Sequence, residues 1–331
     1  MSFHHIGIIG AGGWGTALAL LLQENQFPVS LWGHDPAQIA QIAKRRENIA
    51  YLPGIALPEA LRLTSDLEAL TDCDLLVMVT PSKAIREVAA RLSTVAVRED
   101  AVLLSCTKGV ERGSGKRMSE IVAEFFPAHH IGALSGPSHA EEVARQAPTA
   151  VTIAATDPAA ALRLQKAFTT RFFRSYTSAD IAGVEFGGAL KNIFALAAGV
   201  CDGLGLGDNT KAALVTRALA EMIRLGTALG GQPETFRGLS GIGDLMVTCF
   251  SQHSRNRRVG ERLGRGESLG VIGASMQMVA EGVPTTYSAQ ECAKRLGIET
   301  PIIDQMRALL DGAASPREAL TALLSREPRP E

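Results

Sequence analysis

Hydrophobic positions in the first half of the chain fall in short, nearly continuous runs, set between longer stretches with helical spacing. The runs His4–Gly10, Val29–Trp32, Asp74–Val79, Ala101–Cys106, Ile131–Ser135, Ala150–Ala154 and Phe172–Tyr176 read as strands. Thr16–Asn25, Pro36–Arg46, Ser82–Leu92 and Pro158–Phe168 read as helices. Apolar strands without alternation, separated by helices, predict a mostly parallel sheet covered on both faces. After about Ser178 the pattern changes, and residues 181–331 show helical periods with almost no alternating strand. Asn209–Leu229 is the clearest helix: Leu214, Val215, Ala218, Leu219, Met222 and Ile223 share one apolar face. The pairs Arg217/Glu221 and Glu221/Arg224 are expected on its solvated side, and Gly230-Gly231 ends it. The expected architecture is α/β: a doubly wound sheet in residues 1–179 and an all-helical domain in residues 180–331.

Composition narrows the function classes. The 331 residues suffice for about two domains. A net charge of −1 supplies no basic field, so neither nucleic acid nor an anionic membrane is an expected partner. Any anionic ligand must be held by local groups. Five cysteines, scattered and without a CxxC pair, read as reduced thiols of a cytoplasmic protein. The seven histidines lack ligand spacing, so no metal is expected. Residues 6–22 are uncharged but rich in glycine, and read as strand, glycine turn and buried helix. A signal peptide or membrane span is not expected there, and the chain is expected to start directly in a folded domain.

Within that run, Gly10-Ala11-Gly12-Gly13-Trp14-Gly15 matches the G-x-G-x-x-G spacing, between an apolar strand and an Ala/Leu helix. Gly10 permits the tight turn, Gly12 lets a pyrophosphate approach the backbone, and Gly15 lets the helix pack close to the strand. The first domain is therefore expected to be a Rossmann-like dinucleotide binder. An acid at the end of the second strand would favour NAD; here the strand ends Leu31-Trp32-Gly33-His34-Asp35, with Lys44-Arg45-Arg46 following. His34 and Arg45 suit a 2′-phosphate, so NADPH is the favoured cofactor and NADH the alternative; the basic triplet also reads as a solvated helix end.

Candidate chemistry lies in lone charges. Lys191 is the only charged residue between Phe186 and Cys201, and an ammonium desolvated there is pushed toward proton-transfer chemistry. Asn192 beside it can orient a hydroxyl or carbonyl. A lysine reaching the surface is the bland alternative. Asp244 is alone in Gly238–Ser254; it either partners Lys191 or a substrate hydroxyl, or caps a helix. Ser254-Arg255-Asn256-Arg257-Arg258 suits an oxyanion at a helix start, or is a solvated basic turn. Thr107-Lys108-Gly109 and Ser135-Gly136-Pro137-Ser138 follow strand ends, where α/β ligands bind.

Taken together, these segments resemble the bacterial-type NAD(P)-dependent glycerol-3-phosphate dehydrogenase family. Further matching motifs are Tyr51-Leu-Pro-Gly, Ser135-Gly-Pro-Ser-His-Ala-Glu-Glu, Gly187-Gly-Ala-Leu-Lys-Asn, Asp202-Gly-Leu-Gly-Leu-Gly-Asp-Asn, Gly241–Asp244 and Val279-Ala-Glu-Gly. The resemblance implies reversible reduction of dihydroxyacetone phosphate to sn-glycerol 3-phosphate, supplying phospholipid synthesis. It implies Lys191 as general acid/base, with Asp244 orienting Lys191 and Asn192. It implies Lys108, Gly136, Ser138, Lys191, Asp244, Ser254, Arg255 and Asn256 as substrate contacts. Cofactor contacts implied beside the glycine loop are Trp14, His34, Lys108, Ala140, Arg255, Val279 and Glu281. Gly13 stands where relatives often carry serine. A homodimer is expected. Two rival readings are a two-domain dehydrogenase of a 3-hydroxy acid or sugar acid and a non-catalytic nucleotide sensor; the sensor would have no use for Lys191 and Asp244.

Overall fold

Ile6, Ile8 and Ile9 show how the first strand is built into a sheet covered on both sides. Ile6 and Ile8 join one buried cluster, whereas Ile9, of opposite parity, joins another. Leu75 and Val77 against Leu76 and Met78 repeat the split, which is why these strands are apolar throughout. The computed structural model describes residues 2–276 and 280–327. It divides into two units, Met1–Lys108 with Arg117–Glu185, and Gly109–Lys116 with Phe186–Glu331.

The first unit contains strands β1 (Ile6–Ile9), β2 (Val29–Trp32), β3 (Glu47–Asn48), β4 (Leu52–Ala56), β5 (Arg62–Thr64), β6 (Leu75–Met78), β7 (Val102–Ser105), β8 (His130–Ser135), β9 (Thr149–Ala155) and β10 (Phe173–Ser178). Its helices are α1 (Gly13–Glu24), α2 (Pro36–Arg45), α3 (Ile85–Leu92), α4 (Met118–Phe125), α5 (Ala140–Ala144) and α6 (Pro158–Phe168). The main sheet runs β10-β9-β8-β7-β6-β1-β2-β5, with β8/β9 its antiparallel pair. β1 lies between β2 and β6, so the strand order reverses beside it and opens the crevice where such sheets bind ligands. The fold is Rossmann-like, as expected. The hairpin β3/β4 and the edge strand β5 were not expected; they are short and partly exposed, and leave no hydrophobic run.

The second unit is helical: α7 (Ile181–Gly203, whose first turn belongs to the first unit), α8 (Asp208–Ala228), α9 (Pro233–Phe236), α10 (Asp244–Phe250), α11 (Arg255–Gly264), α12 (Leu269–Ala274), α13 (Gly282–Leu296), α14 (Pro301–Leu310) and α15 (Pro316–Leu324). α7 is long and apolar enough to cross a membrane, yet its apolar stretch is wholly buried in the protein.

The expected solvated side of α8 needs correction. Glu221 is 1% exposed, and its carboxylate accepts hydrogen bonds from the N–H groups of Ile302 (3.0 Å) and Ile303 (2.9 Å). α14 begins with a proline and its own cap residue, Thr300, provides no side-chain cap, so Glu221 satisfies its leading donors from another helix. Burial pushes the Glu221 carboxyl up to about 7, with the two N–H bonds pulling it back down. The folded state therefore holds this proton more tightly than the unfolded chain. Stability from this group is greatest below the ordinary glutamate range and is lost as pH rises through about 7. Glu221→Gln cannot ionise, so its melting temperature relative to the parent should rise between about pH 5 and about pH 8. A pH-independent difference would refute this.

Candidate active site

The glycine turn is shaped by three different constraints. Gly10 has φ +130°, and a Cβ there would lie 2.6 Å from the Val79 carbonyl oxygen. A Cβ on Gly15 would lie 1.9 Å from the Gly10 oxygen, so helix and turn touch through backbone. At Gly12, by contrast, a Cβ would meet nothing within 4 Å: the space beside the turn is open. Gly12 caps α1 without a side-chain hydrogen bond, and the first turn holds no acid, leaving its positive end for an external anion. The residues therefore fit a dinucleotide pyrophosphate. α1 starts at Gly13, three residues earlier than the hydrophobic pattern suggested, so Gly13, Trp14 and Gly15 form its first turn.

A Cβ on Gly13 would fall 2.7 Å from the Tyr51 oxygen, with Ala140 also adjacent. The Tyr51 carbonyl, between β3 and β4, thus occupies the place that a side chain at position 13 would take. Asn48, unnoticed in the sequence, is buried and donates to the Ala11 oxygen (3.0 Å) and Thr16 hydroxyl (2.8 Å), bracing the turn. Beyond β2, His34 is exposed. Asp35 caps α2 through Ala37 N–H (2.9 Å), with Pro36 in the first turn. The basic triplet separates: Lys44 and Arg45 are exposed in the last turn of α2, whereas Arg46 donates to the Pro58 and Leu61 oxygens.

At the ends of β7 and β8, Lys108 Nζ donates to the Gly136 oxygen (3.1 Å), and Ser138 donates to the same oxygen (3.0 Å). Gly136, at φ +147°, would place a Cβ 2.9 Å from Val151 Cα, so only glycine fits. These three predicted residues are thereby gathered at one sheet edge.

In the second unit, Gly187 lets α7 touch the backbone of a single π turn, Leu239–Gly243: a Cβ there would be 2.5 Å from the Ser240 oxygen. One turn further along both segments, Lys191 meets Asp244. Nζ lies 2.6 Å from Oδ1 and 2.7 Å from the Thr248 hydroxyl, which donates to the Asp244 carbonyl (2.6 Å). Lys191 is 6% exposed and Asp244 1%, so the lysine does not reach the surface. Asp244 opens α10, but the cap position is Gly243; the ion pair, not capping, explains the buried carboxylate. Thr248 was missed in the sequence, although its place four residues beyond Asp244 puts it on the same helix face.

Asn256 ties Asn192 to the start of α13: its Nδ2 donates to Asn192 Oδ1 (2.9 Å), and its Oδ1 accepts from Gly282 N–H (2.9 Å). Asn192 also donates to the Gly188 oxygen (3.4 Å). Its orientation comes from these contacts, whereas Asp244 holds Lys191. Ser254 caps α11, accepting from Arg257 N–H (3.2 Å), and Arg255 is exposed in the first turn. Arg257 pairs with Asp202 (2.6 Å), which also pairs with Lys211. Glu281 precedes α13 at its cap position without a side-chain cap bond. Val279 lies outside the described residues. Burial pushes the thiols of Cys73 and Cys249 up to about 12 and Cys201 to about 11, which removes them as thiolate nucleophiles.

Two family models match the chain: NAD-dependent glycerol-3-phosphate dehydrogenase N-terminus over residues 5–161, and its C-terminus over residues 180–321. The chain is 49% identical over 330 residues to a protein of Citrifermentans bemidjiense named glycerol-3-phosphate dehydrogenase (NAD(P)+), covering 98% of each. It is 46% identical to one of the same name from Prosthecochloris aestuarii, covering 98% of this chain and 99% of that one. Among solved structures, glycerol-3-phosphate dehydrogenase from Coxiella burnetii superposes with a TM-score of 0.94 at 38% identity, covering 98% and 99% of the two chains. The glycine turn, the buried lysine of α7 and both halves of the chain thus agree: the protein belongs to the NAD-dependent glycerol-3-phosphate dehydrogenase family.

Proposed function

We propose that Lys191 is the proton donor and acceptor in the family's reaction, the reversible reduction of dihydroxyacetone phosphate to sn-glycerol 3-phosphate. The observation carrying this reading is the buried Lys191–Asp244–Thr248 cluster, in which one ammonium is aimed by a carboxylate and a hydroxyl. Arg255, Asn256 and Ser254, at the start of α11, hold the substrate phosphate as a remote anchor, using guanidinium, amide and helix-end N–H groups. Lys191 gives a proton to the C2 oxygen as negative charge develops there; Lys108 adds a second positive charge, and Gly136 and Ser138 complete the substrate contacts. In the oxidative direction Lys191, neutral, takes the C2 hydroxyl proton. Asp244 remains a carboxylate and keeps Nζ in place.

Residues 1–179 form the dinucleotide half and residues 180–331 the substrate half. When bound, the nicotinamide cofactor supplies the hydride. Gly10, Gly12, Gly13, Trp14, Gly15 and Ala140 would cradle it, with Lys108, Arg255, Val279 and Glu281 as further contacts. NADPH is the preferred form, because Asp35 is engaged as a helix cap while His34 and Arg45 stand exposed after β2 and at the end of α2. The reading includes a cytoplasmic homodimer without membrane insertion, supplying glycerol phosphate to phospholipid synthesis. Five free, buried cysteines suit a reducing compartment.

The direct test follows loss of reduced-nicotinamide absorbance with dihydroxyacetone phosphate, using NADPH and NADH in parallel. Turnover is expected with the phosphate ester and not with dihydroxyacetone, and faster with NADPH. Silence with both cofactors, in protein that binds nucleotide, would overturn the substrate assignment.

A further inference from the structure

Lys191 and the anchor residues sit on two helices of the second unit, α7 and α11, which touch through their backbones. A Cβ on Gly260 would lie 1.9 Å from the Leu196 carbonyl oxygen, and one on Gly264 2.5 Å from that of Val200. From the other side, a Cβ on Gly199 would lie 2.0 Å from the Arg257 oxygen, and one on Gly203 2.2 Å from the Glu261 oxygen. One turn before Leu196 and Gly260, the side chains of Asn192 and Asn256 are hydrogen-bonded at 2.9 Å. Each step of four residues along α7 is therefore matched by a step of four along α11, so the helices run parallel in one register. The oxygens in these contacts belong to backbone, and no rotamer change can relieve an added carbon. Lys191 and Arg255 stand at equivalent positions at one end of this pair.

We propose that the α7/α11 backbone contact is a positioning device that sets the spacing between proton donor and phosphate anchor, with Gly260 and the Asn192–Asn256 bond as its principal elements. It rests on the reading of Lys191 and Arg255 given above. Ordinary close packing would need only that the helices touch. A fixed spacing requires that they touch in one register, and the buried amide pair supplies that constraint, because a slip would leave both amides with lost partners.

The experiment uses Gly260→Ala in the full chain, with Gly270→Ala as control, since a Cβ on Gly270 meets nothing within 4 Å. Displacing one helix from the other by about 1 Å should lower kcat/KM for dihydroxyacetone phosphate about a hundredfold. Inorganic phosphate needs only the anchor, so its inhibition constant should stay at the parent value, as should the NADPH dissociation constant. Loss of phosphate inhibition in step with kcat/KM, or kcat/KM unchanged in folded protein, would overturn the proposal. Should Gly260→Ala not fold, Gly264→Ala, at the far end of the contact, carries the same test with a smaller shift. Arg255→Ala separates the underlying reading: it should abolish phosphate inhibition, and if inhibition persists the anchor assignment falls, and the register proposal with it.

Discussion

Lys191→Met should lower kcat by about 10²–10⁴-fold, the usual worth of a positioned proton donor, while the NADPH dissociation constant stays at the parent value. Methionine matches the lysine stem in length but cannot carry a proton to the C2 oxygen. Cofactor affinity is spared because the glycine turn lies in the other unit of the chain. The pattern distinguishes chemistry from folding: a misfolded variant would lose nucleotide binding as well. Stopped-flow turnover at saturating substrate, with fluorescence titration of NADPH, reads both quantities. Near-parent kcat would remove Lys191 from the reaction.

The second large effect is on stability. Asp244 is 1% exposed and its partner Lys191 6%, so removing either leaves a buried charge without its counter-ion. Asp244→Ala should cost about 3–5 kcal/mol, read as a fall in the urea midpoint, because an unpaired buried ion is far costlier than a missing contact. The double variant Lys191→Met/Asp244→Leu removes both charges and fills the space with apolar atoms. It should recover most of that stability yet remain inactive, a non-additive result of the kind coupled neighbours give. If the double variant were as unstable as the two single losses added together, the pair would not be energetically coupled. An inactive protein with restored stability would show that this ion pair is retained for its chemistry rather than for the fold.

Much of the fold was legible in the residues because its signals are local. The runs His4–Gly10, Asp74–Val79 and Ala101–Cys106 read as strands buried on both faces, and the structure forms buried strands within them at Ile6–Ile9, Leu75–Met78 and Val102–Ser105. Pro158–Phe168 is legible to the residue, since proline and Asp157 mark its start and the apolar period its length. The β3/β4 hairpin was not legible, because its strands are short, one holds a proline and a glycine, and its role is to flank Gly13 from a distance. Glu221 misled for a related reason. Spacing alone put it on a charged face, but its partners are backbone N–H groups about eighty residues later in the chain, which no helical pattern can announce.

The candidate site divides in the same way. Lys191 and Asp244 were conspicuous as single charges in apolar segments, and the glycine turn through its spacing between a strand and a helix. Whether Asp244 capped a helix or faced the lysine was open, since both suit an acid before an apolar run. The backbone contact at Gly187 decided it, by setting α7 against the π turn one helical turn before the pair meets. Thr248, Asn48 and the Asn192–Asn256 bond likewise became visible only when separated segments were packed together. The residues alone determined which chemistry was present and which elements would bear it, because hydrophobic period, glycine spacing and isolated charge act over a few neighbours. Tertiary structure decided which polar groups meet and at what spacing, because close packing of backbones without side chains between them, far apart in the chain, fixes those distances.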